Sequence, residues 1–265
     1  MLNKNDVVTL DVTDINNIGC GVGRIDGMVV FVKGAVSGDR VEAKIIKVNK
    51  SFAVGKLESI ITPSEYRIKE EFCNAPNACG GCVYRHITYP HELEMKKKYV
   101  EAAFKKVGLP EVRVDEVMST GEMSGYRNKA QYPFGTVGGK TCVGFYASKT
   151  HKVIPCNVCA LQPQVFSDIC DFVCGFADEN KWSVYDEESG RGLLRHIYLR
   201  VGKRTGEIML CLVLNGSALP DENDFAREVT ARFPEIVSLM INENTEDTNV
   251  VLGRKYRTLC GKGGI

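Results

Sequence analysis

The stretch Gly27-Met28-Val29-Val30-Phe31-Val32, followed by Lys33-Gly34-Ala35-Val36-Ser37-Gly38-Asp39, decides the fold of the N-terminal part of the chain. A β-rich run here ends at a turn that contains two glycines. Three similar runs flank it, at Val7–Val12, Arg40–Val48 and Ser51–Ile60. Short strands joined by Gly-rich turns predict a small OB-like β-barrel over residues 1–62.

Glycines recur at every second position in Gly19-x-Gly21-x-Gly23, upstream of this stretch. A dinucleotide-binding fingerprint would need a helix after the glycines. A strand-like run follows them instead, so we interpret them as turn and bulge glycines of the barrel.

The remainder of the chain predicts an α+β domain at 125–258. A helix begins near Pro90, and its 90–107 segment has one apolar face and one lysine-rich face. The strands are predicted at Tyr126–Phe134, Thr141–Ala147, Arg195–Val201, Glu207–Leu214, Ile236–Asn242 and Asn249–Arg254. Helices are predicted at Gln164–Phe176 and Asp221–Phe233. This arrangement favours a mainly antiparallel sheet.

Composition excludes few functions but is informative about cysteine. The chain has 265 residues, a net charge of +1 and 25% charged residues, which is ordinary for a globular protein. It has no apolar run of membrane-spanning length and no signal-peptide core after the N-terminal charges, so we expect a cytoplasmic protein without a membrane partner. Eleven cysteines then point to metal binding in preference to disulfides.

Cys73-x5-Cys79-Gly80-Gly81-Cys82 places three thiols in one loop. Glycine lets the backbone come close and aim amide N–H groups at sulfur, as in iron–sulfur sites. A fourth ligand has to come from elsewhere, and Cys156 and Cys159 are both candidates. A structural zinc site with four thiolates is the alternative.

Several motifs in order resemble the RNA uracil-C5 methyltransferases that carry a [4Fe–4S] cluster. They are the cysteine loop, Tyr126-Arg127-Asn128-Lys129, Cys159-Ala160-Leu161-Gln162 and Leu252-Gly253-Arg254-Lys255-Tyr256. The first module is similar to the TRAM RNA-binding domain that opens many members, through Gly19-x-Gly21-x-Gly23, Val30-Phe31-Val32, Gly34-Ala35 and Gly38-Asp39.

The resemblance implies that Cys73, Cys79, Cys82 and Cys159 hold a [4Fe–4S] cluster, with Cys156 as the fallback for the fourth position. It also implies a cluster loop at 63–89, a helical segment at 90–124 that packs on a methyltransferase domain, and the start of that domain at 259–265. S-adenosylmethionine and the catalytic residues belong to this further domain, which we expect to be missing. We therefore expect no catalytic residue in this chain and no methyl transfer by the chain alone.

RNA contacts are expected on two basic segments. Arg127 and Lys129 fall on one face of a predicted strand, where they could grip adjacent phosphates. Arg191 and Arg195 form the second pair, with Gly192 between them to let RNA come close. Weaker candidates in the barrel combine cations and aromatic rings: Arg24, Lys33, Lys44, Lys47, Lys50, Phe31 and Phe52.

The sequence therefore indicates the RNA-recognition and iron–sulfur part of an S-adenosylmethionine-dependent uracil-C5 methyltransferase. Ribosomal RNA is the expected partner, because members that act on transfer RNA often lack the TRAM-like module. The alternative is a non-catalytic RNA-binding protein with a structural metal site. The apolar face of the helix at 90–107 could also mediate self-association. A radical enzyme is disfavoured, because such enzymes use a tighter three-cysteine loop.

Overall fold

The computed structural model describes residues 2–69, 73, 79–148, 150–156 and 158–265. It divides into two units: Met1–Glu71 with Cys82–Gly121, and Phe72–Gly81 with Glu122–Ile265. The predicted cluster loop at 63–89 is therefore divided between the units, and the helix expected at 90–107 belongs with the barrel.

The first unit contains the predicted barrel. Its strands are β1 (Val7–Ile15), β2 (Cys20–Ile25), β3 (Met28–Lys33), β4 (Arg40–Val48) and β5 (Phe52–Thr62). They close in the order β1-β2-β3-β5-β4, with β3 and β5 parallel. Alternate side chains fill the interior, among them Val30, Val32, Val41 and Ile45, all with no exposed surface. The OB-like barrel is confirmed.

Strand β2 corrects the interpretation of the glycine repeat as turns and bulges. Gly21 and Gly23 lie within this strand, and only Gly19 occupies the turn, with a φ of +73°. A Cβ on Gly21 would lie 2.8 Å from the Ala35 Cβ, and one on Gly23 would lie 2.6 Å from the Asp11 carbonyl oxygen. The glycines are needed because neighbouring chain segments come too close for a side chain.

A buried carboxylate fixes the turn between β3 and β4. Asp39 is 1% exposed, and its Oδ2 accepts hydrogen bonds from the Val36 amide at 2.7 Å and the Arg67 guanidinium at 2.5 Å. Its Oδ1 accepts the Ser64 amide at 2.8 Å. One side chain therefore joins the turn to the segment that leaves the barrel after β5.

The helix α1 (Tyr89–Lys106) is attached to the first unit by its N-terminal turn. His91, its one buried residue, stacks on Tyr66 with ring centroids 3.9 Å apart and lies 2.7 Å from the Ser37 hydroxyl. Farther along the helix, Tyr99, Val100 and Phe104 are exposed. No helix in the described part of the chain is long and apolar enough to span a membrane.

The second unit is an α+β domain, as predicted. Its elements are β6 (Lys129–Val137), β7 (Lys140–Tyr146), β8 (Val153–Pro155), α2 (Gln164–Glu179), β9 (Leu194–Val201), β10 (Ile208–Leu214), α3 (Glu222–Arg232), β11 (Ile236–Glu243) and β12 (Lys255–Gly261). The strand order is β12-β11-β10-β9-β6-β7-β8, and every pair is antiparallel except β10–β11. Buried residues of α2 and α3, such as Phe166, Val173 and Phe225, share one core with the sheet.

The strand predicted at Asn249–Arg254 is wrong. The Asn242 amide donates to the carbonyls of Gly253 and Lys255, and the Asn244 amide donates to those of Val250 and Val251. Because side chains satisfy this backbone, it needs no neighbouring strand. The strand begins only at Lys255, and residues 259–261 complete it, although we expected 259–265 to open a separate domain.

His196 is a buried histidine in the middle of the second unit. Burial, and secondarily the adjacent Arg195, lowers the pKa of its imidazole to about 4. Its ring is therefore neutral at pH 7, and the Tyr146 hydroxyl lies 3.4 Å from its Nε2. The histidine is a structural residue in this position.

We predict that Asp39→Ala lowers the free energy of unfolding of the barrel by about 3–5 kcal/mol, because it leaves Arg67 without its buried partner. It also leaves the Val36 and Ser64 amides unsatisfied. Hydrogen exchange of barrel amides measures the change. Asp11→Ala is the control, since its ion pair with Arg40 is exposed and 4.0 Å long, and it should cost at most about 1 kcal/mol. Equal effects of both substitutions would contradict the role of Asp39.

We also predict that the second unit loses stability as pH falls from 6.5 towards 4. The folded state holds His196 neutral while the unfolded state takes up a proton, so the stabilisation is complete above pH 6.5 and amounts to about 3 kcal/mol at most. Fluorescence of Trp182, the chain's one tryptophan and buried in this core, reports the unfolding. His196→Gln should flatten the slope, and an unchanged slope would contradict the assignment.

Candidate metal centre and RNA-binding surfaces

The described part of the cysteine loop is anchored to the end of β7. Cys79 forms an isolated β-bridge with Ala147, and the Gly80 amide donates to the Tyr146 carbonyl at 3.2 Å. A Cβ on Gly80 would lie 3.0 Å from the Ser148 Cα, so a larger residue would push the loop away. Residues 74–78 of the motif lie outside the described residues.

An amide N–H points at sulfur in this loop, as the sequence predicted. The Gly81 amide lies 3.3 Å from the Cys79 Sγ. Such hydrogen bonds stabilise a thiolate and are common around iron–sulfur clusters. The geometry therefore suits Cys79 as a ligand.

Cys156 and Cys159 follow β8, the edge strand that pairs with β7. The Cys156 amide donates to the Val143 carbonyl at 3.0 Å, and the Cys159 carbonyl accepts the Gln162 amide at 2.9 Å in a turn. Cys156 is 2% exposed, and its thiol donates to the Val158 carbonyl at 3.2 Å. Cys159 is half-buried.

Four thiols of the second unit lie close enough to influence one another. Burial first, and then the neighbouring Cys73, Cys159 and Cys79, raise the pKa of the Cys156 thiol to about 12. Burial also raises the pKa of Cys159, which the Leu161 backbone and Arg127 partly offset. Cys156 and Cys159 therefore hold their protons at neutral pH, and a bound metal would displace those protons.

Ligand geometry is a stricter requirement than proximity. Among the described residues, no three cysteine, histidine or acidic side chains are arranged to hold a metal ion. The donor chemistry of Cys73, Cys79 and the 156–159 segment fits a thiolate-bound group, but both fourth-ligand candidates share this region. Cys82 is counted in the first unit. The assignment of Cys73, Cys79, Cys82 and Cys159 stays a prediction.

Lys129 and Arg200 form a pair of exposed cations on the sheet. Lys129 is the first residue of β6, and its partner across the antiparallel ladder is Arg200 of β9, so the two side chains share one face. Arg200 was not among the predicted contacts, because nothing in a single sequence fixes strand register. Arg127 is exposed but precedes β6, so strand alternation does not set its direction.

Arg195 differs from the exposed RNA contact that the sequence suggested. Its side chain is 6% exposed, and Nη1 donates to the carbonyls of Asn244 and Glu246, both at 2.8 Å. Its guanidinium also lies 4.4 Å from the ring centre of Tyr185. It holds the loop after β11 and is not the exposed contact that the sequence suggested.

Arg191 and Gly192 occupy the turn before β9. Arg191 is exposed, so a phosphate contact remains a prediction for it. Gly192 has a φ of +105°, and a Cβ there would lie 2.0 Å from the Val184 carbonyl oxygen. The glycine is therefore required by the close approach of the Val184 carbonyl. The sequence had suggested that it leaves room for RNA.

The outer face of the barrel carries four of the residues suggested by the sequence, together with Lys56, which the sequence did not suggest; the four are Phe31, Phe52, Arg24 and Lys33. Phe31 and Phe52 are half-buried, with ring centroids 5.5 Å apart. Cross-strand register places Arg24 opposite Val29, Phe52 opposite Val29, and Lys56 opposite Lys33. Because cross-strand partners share a face, these side chains form one surface of rings and cations.

Comparison with known proteins agrees with this architecture. Residues 2–57 match the TRAM domain family model. An uncharacterized RNA methyltransferase of Clostridium tetani is 38% identical over 262 residues, which are 99% of this chain and 57% of that protein. Another from Clostridium acetobutylicum is 39% identical over 265 residues, again 99% of this chain and 57% of the relative.

A solved structure shares the fold of almost the whole chain. The tRNA (uracil-54, C5)-methyltransferase of Pyrococcus abyssi, in complex with S-adenosyl-L-homocysteine, aligns with a TM-score of 0.71 over 96% of this chain and 55% of its own, at 23% identity. The chain thus spans a little over half the length of the curated relatives it matches. Along nearly all of its length, it is similar to proteins named RNA methyltransferase.

Proposed function

We propose that this chain is the RNA-recognition and iron–sulfur part of an S-adenosylmethionine-dependent uracil-C5 methyltransferase that modifies ribosomal RNA. The observation that carries the proposal is the closed TRAM barrel, whose outer face combines Phe31 and Phe52 with Arg24, Lys33 and Lys56. Aromatic rings stack on unpaired bases, and the cations attract phosphates. Methyl transfer, S-adenosylmethionine and the catalytic residues are proposed for the whole protein.

A second cationic surface supports the same function. Lys129 and Arg200 lie side by side on the sheet, and Arg127 lies two residues before Lys129. Phosphate contacts of this kind set the position of RNA without reading its sequence. Arg127, Lys129 and Arg191 are the proposed contacts in the second unit, now with Arg200 in addition.

The proposed [4Fe–4S] ligands are Cys73, Cys79, Cys82 and Cys159. The Gly81 amide on the Cys79 sulfur and the mutual influence of the nearby thiols support a thiolate site. A cluster with four cysteine ligands would supply structural order to the loop and position it for RNA. A non-catalytic RNA-binding protein with structural zinc is the second candidate, because zinc also takes four thiolates.

We predict about four irons per chain and a brown colour in anaerobically purified protein, with absorbance near ~400 nm. Cys159→Ser should lose most of the iron, because it removes a ligand. Cys156→Ser is the matched control three residues away and should retain it. Iron and zinc analysis of the two variants is the measurement.

The two metal readings give opposite results in this experiment. Colourless wild-type protein with one zinc would overturn the cluster and favour the second candidate. Full iron content in Cys159→Ser together with loss in Cys156→Ser would move the fourth ligand to Cys156.

We predict that the chain binds single-stranded RNA with a steep dependence on salt. Lys129→Ala and Arg200→Ala should each weaken binding and reduce the slope of log affinity against log salt by about 0.7, the value for one phosphate contact. Fluorescence anisotropy with a labelled oligonucleotide, repeated at several salt concentrations, measures both quantities.

Arg227→Ala is the control for loss of a positive charge, because Arg227 is exposed on α3 and paired with Asp224. It should leave the slope almost unchanged. Binding that is absent or independent of salt would contradict the RNA role, and equal slopes for all three variants would contradict this surface.

A further inference from the structure

A cavity of about 440 Å³ lies in the second unit, and neither a cysteine nor Lys129 nor Arg200 is among the residues that line it. Its walls come from the segment after β7, the segment before β9, and the loop after β11. The residues that line it include His151, Tyr185, Glu187, Arg195, Asp247 and Asn249. The volume falls within the range of small-molecule sites and exceeds that of a single nucleobase.

The cavity wall is built on a buried cation. Arg195 is 6% exposed and donates to the carbonyls of Asn244, Glu246 and Thr248, which fixes the loop that carries Asp247 and Asn249. Its Nε–H has no hydrogen-bond partner among the described residues. The guanidinium therefore retains donor capacity while it stacks on Tyr185.

Acidic groups surround the opening. Glu187, Glu188 and Asp247 line it and are exposed. Glu187 is held in place, because its carboxylate accepts the Tyr146 hydroxyl at 3.2 Å and contacts the His151 imidazole. The cavity lining has three carboxylates, one guanidinium and one histidine, and its excess of negative charge repels phosphate. The Lys129–Arg200 surface carries the opposite charge.

The lining suits a ligand that is flat, donates to carboxylates and accepts from a guanidinium. Tyr185 and His151 supply aromatic walls, Glu187 and Asp247 accept hydrogen bonds, and Arg195 and Asn249 donate them. Cytosine, adenine and guanine each carry an exocyclic amino donor together with acceptor atoms on the same base. Uracil has an imino donor between two carbonyls, so it would set a carbonyl oxygen against a carboxylate.

We propose that this cavity binds an unpaired base of the RNA that carries an exocyclic amino group (cytosine, adenine or guanine) and that is distinct from the base that is modified. The inference rests on the proposed RNA function and adds a specificity-determining site to it. Single-stranded RNA is recognised through bases that stack on aromatic residues and hydrogen-bond at their edges, which is what these walls offer. Phosphate-binding cations elsewhere on the unit would hold the strand, and the cavity would fix its register.

The test compares the 265-residue chain with the double variant Glu187→Gln/Asp247→Asn on fluorescent nonamers of cytidine, adenosine and uridine. The wild type should bind the cytidine and adenosine nonamers more tightly than the uridine nonamer. The double variant should bind the first two on the order of tenfold more weakly, because it loses charge-assisted hydrogen bonds. Its binding of the uridine nonamer should be unchanged or tighter.

The sign of the effect makes the test decisive. Removing two negative charges from a surface that meets only phosphates would strengthen binding to every nonamer, and that result overturns the proposal. Equal wild-type affinity for the three nonamers also overturns it, although RNA binding itself would stand. Failure to bind any nonamer would overturn the proposed RNA function and this inference together.

Glu179→Gln is the matched control. Glu179 is exposed on α2, so this substitution removes a negative charge outside the cavity. It should leave the preference among the nonamers intact. Thermal unfolding followed by Trp182 fluorescence checks that the double variant is folded. A loss of preference in Glu179→Gln of the same size would overturn the assignment to the cavity.

Discussion

Irregular segments of both units depend on buried polar side chains that satisfy their backbone. Asp39 accepts the amides of Val36 and Ser64 in the barrel unit, and Asn242 and Asn244 donate to carbonyls of the loop after β11. A buried amide or carbonyl without a partner costs about 1–3 kcal/mol, so these contacts decide which loop conformation is stable. The loop that carries Asp247 and Asn249 of the cavity is held in this manner, by Asn244 and Arg195.

The same constraint explains which elements the sequence could predict. Strand β10 is a continuous apolar run, and β9 and β11 are rich in Ile, Leu and Val, so composition and length were sufficient to predict all three. The prediction of a strand at Asn249–Arg254 is wrong because the carbonyls of this segment accept hydrogen bonds from the Asn242 and Asn244 side chains, which the periodicity of the segment itself does not reveal. Strand β2 was not predicted, because its glycines suggested turns. Gly21 and Gly23 lie inside the strand, where neighbouring segments come too close for a side chain.

Some features of the candidate sites could be predicted from neighbouring residues in the sequence, and others depend on contacts between distant residues. The Cys79-Gly80-Gly81 geometry follows from local chemistry, and the structure has the Gly81 amide against the Cys79 sulfur. The burial of Arg195 and the pairing of Arg200 with Lys129 depend on tertiary contacts, which the sequence does not reveal. One became a buried support for a loop, and the other became the neighbour of Lys129 through strand register. A basic residue in a sequence indicates a possible RNA contact, but only pairing and burial decide whether it is available.

Charge separates two kinds of surface on the second unit. Lys129 and Arg200 carry exposed positive charge, whereas Glu187 and Asp247 ring a cavity whose one buried cation, Arg195, is engaged by carbonyls and a tyrosine ring. Phosphates favour the first surface and are repelled by the second, while a base with an amino group favours the second. An RNA strand that meets both would be positioned by its backbone and selected by a base. Affinity and selectivity would then respond to different substitutions, because they arise from charges of opposite sign.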